Sequence, residues 1–193
     1  MKGALLMLFV SSICFIRASS SRCPHIAVKQ NFTVKEYVGT WYEIQRLHTA
    51  FVKGKCVAQR YTLQVDGWMK MVTQKMLPNG TLIAYEGDIA PASVNETAKL
   101  QFRAFKLGHP AMSLQDILEF SFNPYWIIAT DYRNYSLVYS CWNAGLRLQE
   151  YAWILSRERH LHENTTNYLR DILSDINIKK MIISDQDGCP SQA

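Results

Sequence analysis

Past Tyr37 the chain runs as short stretches in which β-branched and aromatic residues alternate with polar ones, broken at fairly even intervals by Gly, Pro, Asn and Asp. An alternation of period two turns one face of a segment inward and the other to water, so each stretch reads as a half-buried strand. Eight stand in succession: Trp41–Leu47, Val57–Val65, Trp68–Leu77, Thr81–Ile89, Lys99–Phe105, Tyr125–Ala129, Ser136–Cys141 and Tyr151–Leu155. Turn signals separate them. Asp66-Gly67 predicts a two-residue hairpin turn, Pro78-Asn79-Gly80 a second turn and Asp131 to Asn134 a third. Hairpin-linked neighbours make an up-and-down meander, and closing that sheet into a barrel removes its two unpaired edges.

One segment changes period. From Glu163 to Asn177, Tyr168, Leu169, Ile172, Leu173 and Ile176 recur at helical spacing, with Arg170, Asp171 and Asp175 on the other face. Asn164 or Thr165 is the expected cap. A short strand, Met181–Ser184, and a tail ending at Cys189 follow. The expected fold is therefore all-β: an eight-stranded antiparallel up-and-down barrel with one C-terminal α-helix packed outside. Eight strands enclose room for packed side chains or for one small ligand.

Composition narrows this further. Hydrophobic residues at 48% and charged residues at 19% describe a folded chain, and 193 residues suit a single domain. The formal charge of +5 includes Lys2 and Arg17 and contains no basic block, so nucleic acid is not an expected partner. Residues 1–20 read as a secretory signal peptide: Lys2, apolar residues from Ala4 to Val10 and Ile13 to Ile16, then small Ala18, Ser19 and Ser20. An uncleaved anchor is the alternative, but the apolar stretch is shorter than the roughly 20 residues that span a bilayer. Residues 21–193 then form one extracellular domain. Asn-x-Ser/Thr acceptors at Asn31, Asn79, Asn95, Asn134 and Asn164 point the same way, against roughly one expected by chance.

Cys14 falls in the leader, leaving Cys23, Cys56, Cys141 and Cys189. An even number in an exported chain predicts two disulfides, with three possible connectivities. No Cys-x-x-Cys occurs, and His25, His48, His109, His160 and His162 are scattered, so no metal site is expected. The chain also lacks Gly-x-Ser-x-Gly, His-Glu-x-x-His and a phosphate loop, so neither an enzyme nor a cofactor is expected.

Three motifs in order give a more specific reading: Gly39-Thr40-Trp41 opening the first strand, Thr130-Asp131-Tyr132 in a later hairpin, and Arg157 just after the last barrel strand. With a helix after the third and a leader before the first, the chain resembles the lipocalins along nearly its whole mature length. The resemblance implies a carrier for a small hydrophobic molecule such as a fatty acid, steroid or other lipid. Trp41 then plugs the closed end of the barrel with Arg157 lying across it, both structural. One branch of the family pairs the cysteines as Cys23–Cys141 and Cys56–Cys189. That branch has a further cysteine where this chain has Asn143, and a thiol-dependent isomerase reading would need an unpaired Cys.

The same branch places pocket aromatics at Tyr61 and Trp153. Parity adds Leu63 to Tyr61, and Tyr151 and Leu155 to Trp153; the resemblance adds Met69, Met71 and Thr73, and Leu100, Phe102 and Ala104. This wall is apolar and thioether-rich, suited to a ligand oriented by one or two hydrogen bonds. Thr73 and Leu77 replace an amide and an Arg of the branch, which weakens the case for a fatty-acid carboxylate. A side-chain-filled core without ligand, as in an interaction or signalling protein, is the alternative. Between the fifth and sixth strands the chain carries about ten residues beyond the family length, around His109 to Leu118 within the 107–124 loop. Ser113 and Asp116 form a capping-box pattern, with Leu114, Ile117 and Leu118 on one face. Two readings stand: a lid or contact with a lipoprotein or membrane surface, or a turn packed on the barrel rim.

Overall fold

The computed structural model describes residues 22–48, 54–93, 95–105, 123–144 and 147–190. The expected leader and the chain around His109 to Leu118 lie outside them. A short helix α1 (Val34–Tyr37) leads into β1 (Gly39–Leu47), β2 (Lys55–Leu63), β3 (Met69–Met76), β4 (Leu82–Pro91), β5 (Lys99–Phe105), β6 (Pro124–Thr130), β7 (Tyr135–Ala144) and β8 (Arg147–Ser156). Helix α2 (Glu163–Asp175) and β9 (Met181–Ile183) complete the chain. Each strand pairs antiparallel with the next from β2 to β8; β8 pairs with β1, and β1 with β2, closing an eight-stranded barrel to which β9 adds on β1. Closure removes the two free edges that an open sheet of these strands would present.

The hairpins differ slightly from expectation. Gln64 N donates to Trp68 O at 2.7 Å and Gly67 N to Gln64 O at 3.1 Å, so the Asp66-Gly67 reversal holds three residues, not two. Val65 is thereby left fully exposed at the tip instead of ending β2. Pro78-Asn79-Gly80 repeats the pattern with Leu77 N to Thr81 O at 2.8 Å. Gly67 and Gly80 take φ of 83° and 82° at the left-handed corner, which only glycine adopts without strain.

β1 pairs with β2 only from Gly39 opposite Tyr61 to Tyr42 opposite Ala58. Beyond that the strands part, and β9 pairs with Gln45, Arg46 and Leu47. The tail bridges the gap: Cys56 N donates to Asp185 O at 2.8 Å, while Gln186 Nε2 donates to Glu43 O at 2.9 Å and Val57 O at 2.8 Å. Cys56 joins Cys189 just beyond, and Cys23 joins Cys141, tying the N-terminal strap to β7.

Two apolar layers result. One fills the barrel, from Phe32, Tyr37 and Trp41 to Leu100, Ile127 and Val138. The other lies outside, where Leu169 and Leu173 of α2 pack on Leu137, Tyr139, Ala152 and Ile154. The α2 cap is His162, whose Nδ1 accepts from Asn164 N at 3.2 Å, two or three residues earlier than the expected Asn164 or Thr165. The helix starts sooner because Thr166 N and Oγ1 both bond the His162 carbonyl.

Candidate functional site

The closed end of the barrel is built from the three motifs. Trp41 is fully buried, donates from Nε1 to Tyr37 O at 2.9 Å, and carries the Arg157 guanidinium 3.8 Å above its ring. Arg157 also donates to four backbone carbonyls: Tyr132 and Thr40 at 3.0 Å, Glu36 at 3.1 Å and Tyr37 at 3.2 Å. Gly39 has φ of 104°, and a Cβ there would stand 3.0 Å from Arg157 Nη1, so this position needs glycine twice over. Asp131 knots the opposite hairpin by accepting from the backbone of Arg133, Asn134 and Tyr135. Burial acts to raise its carboxyl, but these bonds and one from the Asn134 side chain outweigh it and hold it below the usual range.

Above this floor the strand register assembles the inner wall. Tyr61 stands opposite Met71, Thr73 opposite Tyr85, Met69 opposite Ile89, and Leu100 opposite Tyr125. On β8, Tyr151, Trp153 and Leu155 face the interior opposite Ser140, Val138 and Ser136. Rings make a column from the mouth downward: Trp142 stacks on Tyr151 at 5.3 Å, Tyr151 on Trp153 at 5.8 Å, Trp153 meets Tyr125 at 5.9 Å, and Tyr125 meets Phe102 at 5.2 Å. Trp153 and Tyr85 point inward yet are only half-buried.

The expected wall residues therefore fall together, with two differences. Leu63 lies beyond the Gly39–Tyr61 pair at the closed end and is 38% exposed, so it is no part of the interior; parity continued past the point where β1 ceases to cover β2. Ala104 pairs with Asp88 through the backbone, and its side chain is outside the described set. Thr73, opposite Tyr85 on β4, is 3% exposed.

The interior also holds polar groups that alternation hides. β1 and β8 slip register between Glu43 and Gln45, so Glu43 lies opposite Leu155 and Arg46 opposite Trp153. Glu43 shares Trp41's inward parity, and the bulge brings Arg46, which strict alternation puts outside, to the same inner face. Glu43 is 1% exposed and Arg46 7%. Arg46 Nη1 donates to Glu43 Oε1 at 2.6 Å, and Ser184 Oγ from the tail donates to the same oxygen at 2.5 Å. Lower down, Tyr61 and Tyr125 hydroxyls bond one another and share Gln59 Oε1, and Tyr37 bonds Ser136 at 2.9 Å. Burial pushes the Tyr85 hydroxyl up, as does the Glu43 charge, and burial pushes Tyr61 and Tyr125 well up. These phenols are neutral hydrogen-bonding groups at any physiological pH, not bases.

Outside the barrel, an open groove of about 560 Å³ separates the start of α2 from β1 and the tail, with Ile44, Leu161 and Ile183 among its walls. Its arginines are engaged: Arg159 lies over Tyr42 and donates to Gln186 and Pro190, and Arg170 donates to Gln45. Among the described residues no helix is long and apolar enough to cross a membrane.

Against known proteins, a family model described as a lipocalin-like domain matches residues 32–183. Apolipoprotein D of Macaca fascicularis is 39% identical over 172 residues, covering 88% of this chain and 85% of that protein. Apolipoprotein D of Cavia porcellus is 40% identical over the same length and coverage. Among solved structures, insecticyanin from the tobacco hornworm Manduca sexta aligns with a TM-score of 0.66 at 24% identity over 86% of both chains. Lobster apocrustacyanin A1 aligns at 0.64 with 21% identity over 80% of both. These two likenesses concern the fold. The matched family model, the apolipoprotein D relatives and the barrel plugged by Trp41 beneath Arg157 agree: the chain belongs to the lipocalin family.

Proposed function

We propose that this protein is a secreted carrier that takes a small hydrophobic molecule into its barrel. The observation that carries the reading is the aromatic column from Trp142 to Phe102, whose inward-facing Trp153 keeps part of its surface uncovered. A ligand that buries roughly 300 Å² of apolar surface here gains about 7–8 kcal/mol before association costs, which a preformed barrel keeps low. The proposed contact set is Tyr61, Met69, Met71, Thr73, Leu100, Phe102, Tyr151, Trp153 and Leu155. Binding and transport is favoured over the thiol-dependent isomerase reading, which needs an unpaired Cys, because the four described cysteines are bonded in pairs.

Export through the leader at 1–20 accords with two disulfides and with the exposure of Asn31, Asn79, Asn95, Asn134 and Asn164, each able to carry a glycan. The 107–124 loop is proposed as the contact to a lipoprotein or membrane surface. Native mass spectrometry of the protein secreted from cells, before and after lipid extraction, tests the reading. An extractable lipid whose rebinding quenches tryptophan fluorescence in wild type but not in Trp153→Phe is the expected result. Secreted, folded protein that neither carries nor rebinds any hydrophobic molecule would refute it.

A further inference from the structure

The Glu43 carboxylate is the most buried charge inside the barrel, and its hydrogen bonds are unevenly shared. Oε1 receives both side-chain donors, Arg46 Nη1 and Ser184 Oγ, while Oε2 receives none among the described residues. A carboxylate accepts about four hydrogen bonds, and Oε2, unlike the buried Arg46 Nε, is not sealed in the wall, so it has acceptor capacity left for a donor. The charge faces the barrel interior: Glu43 lies opposite Leu155 of the interior core, and it helps raise the hydroxyls of Tyr85 and Tyr125 on β4 and β6. Arg46 cannot serve a second anion on equal terms, since Glu43 already neutralises it at 2.6 Å.

We infer that Glu43 is the specificity-determining residue of the pocket, selecting an amphiphile with an uncharged hydrogen-bond donor, such as an alcohol, over the carboxylate of equal chain length. This rests on the carrier reading and names its ligand class. A hydroxyl donates to Oε2 and adds no charge. A carboxylate has nothing to donate and sets a second negative charge beside the first in a weakly screened interior. Lys75 marks the competing arrangement: its ammonium lies 5.9 Å from the Tyr85 ring, two residues along β3 from Thr73, where an anionic head turned towards the mouth would meet it.

The test compares tetradecanol, its methyl ether and tetradecanoate by displacement of a fluorescent probe from the intact, disulfide-bonded protein at pH 7.5. Wild type should bind the alcohol about tenfold more tightly than either of the others, the energy of roughly one hydrogen bond to a charged group. Glu43→Gln leaves Arg46 as the interior charge, so tetradecanoate should overtake the alcohol. Glu43→Gln paired with Arg46→Met replaces the ion pair by neutral groups, a change that buried pairs often tolerate; it keeps the test open if the single variant does not fold. In it the alcohol's advantage should vanish. Tetradecanoate binding to wild type as tightly as the alcohol, or an alcohol preference that survives in the double variant, overturns the assignment. If Lys75→Gln then abolishes acid binding, the head lies at the mouth and the inference falls while the carrier reading stands. If folded wild type binds none of the three, the carrier reading falls with it.

Discussion

Arg157→Ala removes, in one step, a cation from the face of Trp41 and four donors from the carbonyls of Glu36, Tyr37, Thr40 and Tyr132. The cation–π contact at this half-buried site contributes about 1–2 kcal/mol. Each backbone bond adds about 0.5–1 kcal/mol, the low end of the usual range because water reaches the exposed Glu36 carbonyl once the side chain is gone. The expected loss is thus about 3–6 kcal/mol, or a fall in Tm of about 6–24 °C for a domain of this size. Urea unfolding followed by tryptophan fluorescence, with both disulfides intact, measures it. Arg157→Lys keeps the charge but not the planar fork, and should fall between the two. Ligand affinity at low urea should hardly change, because the inner wall lies on the other side of Trp41. A loss below about 1 kcal/mol, or weakened ligand binding at unchanged stability, would refute the reasoning.

Two further outcomes follow from the same geometry. The Asp131 carboxyl is held below its ordinary value, so its stabilising contribution is complete above the unfolded pKa of about 3.9 and is lost as pH falls through the folded value. Asp131→Asn keeps one acceptor but no charge; the variant should be less stable than wild type at pH 7, with the gap narrowing near pH 2–3 in thermal melts, as expected for a carboxylate. On the outer layer, Leu173 is fully buried between α2 and the barrel, so Leu173→Ala should cost about 2–5 kcal/mol by leaving a cavity. The α2 amides should then exchange with deuterium faster than those of β7 and β8; equal rates would argue against independent docking of the helix.

Most of the architecture is legible in the order of residues. Runs rich in β-branched and aromatic residues between turn signals located eight strands, within a few residues at each end, and alternation along them picked out inward-facing positions, because a strand repeats each face at every second position. The switch to helical spacing located α2, and Gly-rich reversals located the hairpins, since a left-handed corner is cheap only for glycine. The motifs Gly39-Thr40-Trp41 and Arg157 announced the plug, although 115 positions and more separate them. Tertiary structure decided what no local pattern carries. The slip between Glu43 and Gln45 falls where β1 pairs with β8 on one side and with β9 beyond Tyr42, and it alone turns Arg46 inward beside Glu43. Leu63 obeys the same parity as Tyr61 yet faces solvent, because β1 stops covering β2 two residues earlier, at Tyr61. Ser184 reaches an interior carboxylate 141 residues away since the tail fills the gap between two strands. Alternation depends on neighbours along the chain and can be read from it; bulges, strand ends and gaps depend on partners distant in sequence, and here they place the only charged pair found facing the ligand space among the described residues.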